Sequence, residues 1–270
     1  VLGANSENAR AAQSQTLPLL AVEMNEAQRE FPLVFARDQE GQVTPLALLG
    51  LRQNENLFIG ADGRWQAEHL PAFVRRYPFA TALVKDDQLA ICVDEAASCL
   101  SAEVGEPLFP ADGSRQLLTR IQQVLQEYQQ EIGRTRAFCA RLQELDLLRE
   151  ASAQVELPDG EVFSLTGMLI VEEERLRALN AAQVHALVQS GELALIQAHR
   201  IGVNFLLSAL VLVWAAAVVA YFAGRALGGK FIHRKLAPAI SPGKTWEGAL
   251  GGFAGVLLMA VLWLVWDRQH

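Results

Sequence analysis

Two long apolar runs near the C-terminus constrain this chain more than any other feature. Residues 201–223, IGVNFLLSALVLVWAAAVVAYFA, form a run of 23 without a charged side chain, and residues 248–266 form a second run of 19. As a helix, the first run would be about 34 Å long, which exceeds the roughly 30 Å of a bilayer's hydrocarbon core. The alternative, a pair of buried core helices, requires further helices to surround them, and the sequence offers no comparable ones. The pattern therefore predicts two transmembrane α-helices.

The segment between the two runs is basic. Residues 224–247 hold five Lys or Arg side chains and one acidic side chain, Glu247. Because positively charged loops favour the cytoplasmic side, this pattern predicts a multi-pass protein with the loop in the cytoplasm. It would also place the first 200 residues outside, although neither a signal peptide nor a transit segment opens the chain. Either this loop is an exception to the preference of positive loops for the cytoplasm, or the two halves of the chain have separate origins.

Charge divides the chain at about the same point. Residues 1–200 carry 17 Lys or Arg and 28 Asp or Glu, a net charge of −11, whereas residues 201–270 carry six and two, a net +4. Nucleic-acid binding needs a basic face, so we expect no nucleic-acid partner for the acidic part.

The three cysteines, Cys92, Cys99 and Cys139, show no CxxC or Cys/His spacing, which favours free thiols in a reducing compartment over a disulfide or a zinc site.

The first 200 residues have the pattern of a soluble domain. Residues 1–16 are polar, and we expect them to be disordered. From residue 17 to residue 200, short apolar runs of strand type and Asp-Gly turn signals alternate with helical patterns, which predicts an α+β domain. The strand and turn segments are FPLVFA (31–36), QLAICVD (88–94), ADGRW (61–65) and the PDG (158–160) of a hairpin within 154–171.

Helices are predicted between and after these strands. Apolar residues at helical spacing indicate a long helix from Ser114 to about Leu148, weakened or divided in two at Gly133. A last helix begins near Asn180 and ends at Gly191. The three glutamates at 172–174 suit the start of another helix, where they stabilise the helix dipole, better than they suit a metal.

No catalytic constellation stands out in this part of the chain. The adjacent arginines of RRYPF, Arg75 and Arg76, offer donors to an anion. In an extended segment they would point in different directions, which favours a structural pair with a carboxylate for one of them. His69, His185 and His199 have no Cys, Asp or His at ligand spacing, and we expect each to be structural.

A series of motifs runs through this part in a fixed order. They are FPLVF (31–35), LLGLRQNENLF (48–58), DGRW (62–65), RRYPF (75–79), EPLF (106–109), TRAFCARLQELDLL (135–148), TGMLIVEEERLRAL (166–179) and LALIQAH (193–199). Their order and spacing, from about residue 17 to residue 199, resemble the SapC-like bacterial family, which is named for its association with surface-layer proteins. The resemblance implies an envelope or surface-layer partner, and it implies no particular reaction or catalytic residue.

The basic segment contains Gly-Lys-Thr within APAISPGKTWEG (237–248). Phosphate-binding loops of nucleotide hydrolases read Gly-x-x-x-x-Gly-Lys-Ser/Thr and follow a buried strand. Here the first glycine position is Pro238, which has no N–H to offer a phosphate, and no strand pattern precedes it. The sequence therefore argues against a loop of that kind.

The wider pattern AYFAGRALGG…RKLAPAISPGKTWEGALGG resembles part of the phosphatidate cytidylyltransferase (CDP-diacylglycerol synthase) family, over about residues 203–266. That family makes CDP-diacylglycerol from CTP and phosphatidate in phospholipid biosynthesis, in the bacterial inner membrane. The matching positions are Tyr221, Phe222, Gly224, Arg225, Ser241, Pro242, Lys244, Thr245, Glu247 and Gly248. The resemblance implies that Arg225, Ser241, Lys244 and Thr245 bind the substrates' phosphates, and that Glu247 helps to hold Mg²⁺.

The chain departs from that family at three points. Ala217 stands where the family has an aspartate, the family's C-terminal signature of metal-binding acids is absent, and two apolar runs stand where the family has many spans. Two-metal nucleotidyl transfer needs several carboxylates near the phosphates, so we expect no catalysis by this chain alone.

The sequence as a whole predicts an α+β soluble domain followed by two transmembrane α-helices, joined near residue 200. We expect a membrane-anchored SapC-like protein with the lipid bilayer as a partner and no turnover of its own. The alternative is a phosphatidate cytidylyltransferase that uses Mg²⁺, CTP and phosphatidate and takes its missing parts from a longer chain or from partner chains. A third possibility is that the SapC-like part binds a surface-layer or envelope partner.

Overall fold

The computed structural model describes residues 14–83, 89–97, 99–101, 106–109, 115–156, 162–232, 235–237 and 241–267. The chain divides into two compact units, Val1–Val203 and Asn204–His270. The helices are α1 (Met24–Ala27, after a 3₁₀ turn at Ala21–Glu23), α2 (Ala72–Arg75), α3 (Gln116–Glu144), α4 (Glu173–Arg177), α5 (Ala181–Gln189), α6 (Glu192–Leu227) and α7 (Trp246–Asp267). The strands are β1 (Thr16–Pro18), β2 (Leu33–Arg37), β3 (Val43–Leu48), β4 (Phe79–Leu83), β5 (Leu89–Val93), β6 (Leu148–Glu156), β7 (Val162–Val171), β8 (Lys235–Ala237) and β9 (Ser241–Thr245).

A five-stranded antiparallel sheet lies at the centre of the first unit, in the order β1-β3-β2-β7-β6. Phe35 of β2 lies opposite Pro45 of β3 on one side and Leu169 of β7 on the other. Strands β6 and β7 form a long hairpin whose register shifts between Ala151 and Ala153. The FPLVFA and QLAICVD runs form β2 and β5, as predicted, and β5 pairs with β4 in a separate two-stranded sheet.

Helix α3 supplies the largest helical surface of the core. Phe138, Cys139 and Leu142 recur at three- and four-residue spacing, so they lie on one face of the helix, and all three are buried. The ring of Phe138 lies 6.2 Å from the ring of Phe35 on the sheet. Complete burial of side chains of this size stabilises the fold by roughly 1.5–3 kcal/mol each.

Helix α3 is continuous, so the predicted division at Gly133 is wrong. A single glycine costs a helix only about 1 kcal/mol, and the surrounding residues are good helix formers. The helix also ends earlier than predicted, because Asp146 takes a positive φ of 50° and Leu148 already belongs to β6. The predicted cap, Ser114, lies outside the described residues.

The other local predictions in this unit are confirmed where they can be followed. Asp62 and Gly63 form a tight turn in which Gly63 has a φ of 74°, closed by a single bridge between Ile59 and Trp65. The 154–171 hairpin is confirmed by β6 and β7, although its turn residues, 158–160, lie outside the described residues. Helix α5 begins after Asn180, as predicted, and Gly191 follows its end with a φ of 77°.

The two apolar runs are helical, but the prediction of two transmembrane helices is wrong. Over the residues that the structure describes, no helix is long and apolar enough to cross a membrane. The first run is not a helix of its own, because α6 begins nine residues before it and carries His199 and Arg200 ahead of the apolar stretch. The second run begins at the third residue of α7, after Trp246 and Glu247. The topology inferred from the basic segment rested on the two spans and loses its basis.

In the second unit, α6 and α7 approach each other along a row of glycines. A Cβ atom added to Gly248 would lie 2.9 Å from the carbonyl oxygen of Ala220, and one added to Gly252 would lie 2.9 Å from that of Ala216. Because real Cβ atoms do not approach a carbonyl oxygen so closely, only glycine allows this packing. The glycines hold together the two helix ends that carry the candidate site.

Candidate functional site

The five residues predicted to form a site lie where α6 ends and α7 begins. Arg225 belongs to the last turn of α6, and Glu247 is the second residue of α7. Between them, β8 and β9 pair as a short antiparallel hairpin, with Lys235 opposite Thr245. The hairpin leads the chain from one helix end directly into the next.

Thr245 caps α7 and packs against the end of α6. Its Oγ1 accepts a hydrogen bond of 3.1 Å from the backbone N–H of Gly248, which is the geometry of a helix N-cap. A Cβ added to Gly224 would lie 3.2 Å from the same oxygen. The structure therefore brings Thr245 next to the residue that precedes Arg225, and it leaves the hydroxyl proton available to an acceptor.

Glu247 ties the turn after α6 to the start of α7. One carboxylate oxygen, Oε1, accepts the backbone N–H groups of Ile232 at 2.8 Å and Phe231 at 3.2 Å, and the residue is buried. These backbone donors, that of Ile232 foremost, lower the pKa of Glu247 to about 2. The carboxylate is therefore charged at neutral pH and is engaged by the protein itself.

The second oxygen of Glu247 is the atom that best fits a metal. Oε2 is buried and has no hydrogen-bond partner in the part of the chain that the structure describes. Mg²⁺ prefers about six oxygen ligands and is often held by one or two carboxylates together with phosphates and water. No group of three or more His, Cys, Asp or Glu side chains that could hold a metal occurs among the described residues. If a metal binds here, Glu247 would supply one ligand, and the others would have to come from a bound phosphate and water.

The two cations of the site are exposed. Arg225 donates a hydrogen bond of 3.1 Å to the hydroxyl of Tyr221, one turn earlier on α6. Lys244 takes part in none of the ion pairs found among the described residues. Ser241 pairs with Ala237 through its backbone, and its side chain lies outside the described part of the chain. Arg225 and Lys244 are thus accessible to an anion such as a phosphate.

Near Glu247, the described part of the chain contains no other acidic side chain at the family's expected positions. Ala217, at the aspartate position of the family pattern, presents only an exposed methyl group on α6. Asp267 lies 20 residues beyond Glu247 along α7, which at the helical rise separates the two backbones by about 30 Å. Among the described residues, Glu247 is therefore the carboxylate of this site.

Sequence reasoning missed how the site is held together. The N–H groups of Phe231 and Ile232 are backbone donors with no side-chain signature, so their bond to Glu247 could not be read from the chain. The glycines offered a signal, because Gly224 and Gly228 stand four residues apart and glycines recur in α7 from Gly248 onward. That spacing predicts a close helix contact.

In the first unit, the adjacent arginines Arg75 and Arg76 contact different partners. They lie at the end of helix α2, so the segment is helical rather than extended. Arg75, at the end of α2, pairs with buried Glu23 at 3.3 Å, so the predicted structural pair with a carboxylate is confirmed. The guanidinium of Arg76 lies over the ring of Phe73 instead. His199 is also structural, because its Nε2 accepts the backbone N–H of Val171 at 3.0 Å.

Comparison with known families and proteins gives two overlapping matches. A family model described as SapC matches residues 2–206, and one described as cytidylyltransferase family matches residues 157–269. A phosphatidate cytidylyltransferase of Haemophilus influenzae is 49% identical over 63 residues, which cover 23% of this chain and 20% of the relative. Those of Pseudomonas aeruginosa and Bacillus subtilis are 51% identical over 51 residues (19% of this chain, 17% of the relative) and 41% identical over 61 residues (23% and 21%).

The chain therefore spans about a fifth of the length of the curated relatives it matches. No solved structure matches the chain. Both resemblances drawn from the motifs are confirmed, the SapC-like one over most of the chain and the cytidylyltransferase one as a partial segment.

Proposed function

Because this chain belongs to the SapC family and continues into a segment of the cytidylyltransferase family, we propose that it joins a binding module to a phosphate-binding hairpin. The β8–β9 hairpin, together with Arg225 at the end of α6 and Glu247 at the start of α7, binds the triphosphate of CTP together with Mg²⁺. It does not complete nucleotidyl transfer as this chain alone. The SapC-type unit recognises a partner in the bacterial envelope.

One observation carries this proposal: two exposed cations flank a turn that Glu247 holds in place. Arg225 and Lys244 supply positive charge to a phosphate, and the hydroxyl of Thr245 has a proton to donate. Guanidinium and ammonium groups are the side chains that bind phosphates most often. The buried oxygen of Glu247 would be a ligand of Mg²⁺, which neutralises phosphate charge when it is bound.

The apolar surface of α7 supports an association of the same unit with lipid. Leu250, Phe253, Leu257 and Leu258 are each more than half exposed and recur at helical spacing along one side of the helix. A row of this kind suits the acyl chains of phosphatidate or the surface of a bilayer.

Among the described residues, the site has the cations that phosphate binding needs but too few acidic side chains for catalysis. Nucleotidyl transfer with two metals places several carboxylates around the phosphates, and the described site has one. The alternative function, turnover of CTP and phosphatidate to CDP-diacylglycerol, requires the missing acids to come from a longer chain or a partner. The free oxygen of Glu247 favours this alternative enough to test it in the same experiment.

The test measures CTP binding to the purified full chain by calorimetry, with and without Mg²⁺, and CDP-diacylglycerol formation in phosphatidate-containing vesicles. We expect binding that needs Mg²⁺, no product, and a loss of affinity of about tenfold or more in Lys244→Ala, because a hydrogen-bonded charge is removed. Lys230→Ala is the matched control, since Lys230 is exposed in the same basic segment and outside the motif.

Equal losses in Lys244→Ala and Lys230→Ala would show that CTP is held only by the general positive charge of the segment. An absence of CTP binding would refute the proposed site. Product that disappears in Lys244→Ala would replace the proposal with the enzymatic alternative.

A further inference from the structure

A cavity of about 370 Å³ lies in the first unit, between α2 and the β4–β5 sheet. Its volume falls within the roughly 300–1,000 Å³ that small-molecule pockets occupy. The lining is mostly apolar and contains one cation and one anion. The residues that decide its chemistry are Phe73, Arg76, Phe79, Cys92, Val93 and Asp94.

Arg76 is held in the wall of this cavity by two aromatic rings. Its guanidinium carbon lies 4.9 Å from the ring centre of Phe73 and 5.1 Å from that of Tyr128 on α3. Rings placed in this way fix the plane of a guanidinium and leave its edges for hydrogen bonds. The side chain is therefore oriented before any ligand arrives.

One edge of this guanidinium lacks an acceptor. Nε of Arg76 is buried and has no hydrogen-bond partner among the described residues. An atom buried to this degree is out of reach of a ligand in the cavity, so an anionic ligand would pair with the terminal nitrogens of the guanidinium; Arg76 takes part in none of the ion pairs found among the described residues. The neighbouring Arg75 shows the contrast, because its guanidinium already pairs with Glu23 at 3.3 Å.

The rest of the cavity narrows the class of ligand. Asp94 lines it and accepts a hydrogen bond of 3.1 Å from the hydroxyl of Tyr77, so a negative charge already stands in the wall. A carboxylate with one charge meets less repulsion from Asp94 than a phosphate with two. Phe79 and Val93 provide apolar surface for the remainder of the molecule.

We propose that this cavity binds an amphipathic monocarboxylate, with its carboxylate on Arg76 and its hydrocarbon body against Phe79 and Val93. The site lies wholly within the SapC-type unit and concerns neither CTP nor phosphatidate. It would give this unit a small-molecule ligand in addition to an envelope partner.

The experiment titrates the full chain with octanoate by calorimetry, beside 1-octanol and octyl phosphate. For a ligand of this size we expect a dissociation constant of about a millimolar or tighter. Octanol should bind at least tenfold more weakly, because it lacks the charge that pairs with Arg76. Octyl phosphate should also bind more weakly than octanoate, because Asp94 repels the second charge.

Variants test the assigned residue. Arg76→Gln should lose about tenfold or more in affinity for octanoate, and Arg76→Lys should lose less, because it keeps the charge without the planar edge. Arg75→Gln is the matched control and should bind as the unchanged protein does. Val93→Trp, on the face of β5 that lies opposite Phe79 in the pairing of β4 and β5, should exclude the ligand by filling the cavity.

Three results would overturn the proposal. Octanoate that fails to bind the unchanged protein at millimolar concentration would do so. Equal affinity of octanol and octanoate would show that Arg76 contributes nothing. Unchanged octanoate binding in Val93→Trp would place the ligand elsewhere, and this variant decides the question even if Arg76→Gln does not fold.

Discussion

Acidification should destabilise the first unit through a single buried imidazole. His199 is almost completely inaccessible, its ring centre lies 4.9 Å from that of Phe35, and its Nε2 accepts the N–H of Val171. A ring nitrogen that accepts a hydrogen bond carries no proton, so protonation would break this bond and place a charge in the core. Burial lowers the pKa of His199 from 6.5 to about 4.

The size of the effect follows from the two pKa values. Between pH 6.5 and pH 4 the unfolded chain binds this proton and the folded chain does not, so stability is present at high pH and is lost as the pH falls. Each unit of pKa difference corresponds to about 1.4 kcal/mol, which gives a total of about 3 kcal/mol. Lowering the pH from 7 to 5 should remove about 2 kcal/mol of the free energy of unfolding through His199.

Urea unfolding at pH 7 and pH 5 measures this loss. Trp65 reports on the first unit if the other four tryptophans are replaced by phenylalanine. His199→Gln keeps an acceptor near Val171 and cannot titrate, so its stability should fall less between the two pH values by about 2 kcal/mol. His185→Gln, at an exposed position on α5, is the control and should retain the full pH dependence.

The reasoning fails if the unchanged protein and His199→Gln lose the same free energy on acidification. It also fails if His185→Gln, and not His199→Gln, removes the pH dependence.

Three further measurements test other contacts. Thr135→Val should cost about 1–3 kcal/mol in urea unfolding, because Thr135 Oγ1 accepts the buried N–H of Ala21 at 2.8 Å and valine leaves that donor unpaired; an unchanged midpoint would contradict this. Asn180→Ala should cost about 1 kcal/mol in the same assay, because it removes the N-cap of α5; a smaller loss than for an exposed mid-helix alanine substitution would count against it. Burial raises the pKa of the Cys139 thiol to about 12, so in the native protein at pH 8 a thiol reagent should label exposed Cys92 well before Cys139; mass spectrometry of the labelled peptides decides the order.

Local signals in the sequence predicted local structure well. Asn180 and Gln183 satisfy each other's backbone N–H groups at the start of α5, and a capping pair of this kind needs no information from elsewhere in the chain. The strand runs and the turn at Gly63 are equally local. The predicted end of α3 was wrong because the hydrophobic pattern of the helix continues into Leu147, which is buried in the loop after the helix, and Leu148, which begins β6.

Features that depend on residues far apart in the chain could not be predicted from the sequence. Counting apolar residues in a row did not show that α6 starts at Glu192, nine residues before the first run, and no helix among the described residues is long and apolar enough to cross a membrane. Glu247 was assigned by resemblance to a metal, yet one of its oxygens holds two backbone N–H groups that lie 15 and 16 residues away in the chain. The different partners of Arg75 and Arg76 likewise depend on a fold that brings Glu23 to one arginine and Tyr128 to the other.

The register shift between β6 and β7 bears on how the protein behaves at high concentration. Strand β6 lies at one end of the five-stranded sheet, where a regular strand would present its free backbone groups to a strand of another molecule. One residue of β6 lies between Ala151 and Ala153, whereas two residues of β7 lie between their partners, so the extra residue of the bulge belongs to β7 and increases the local twist of the pair. The charged Arg149 and Glu150 lie in β6 beside it. A neighbouring chain therefore meets a twisted and charged edge, which protects the folded protein against aggregation by strand addition.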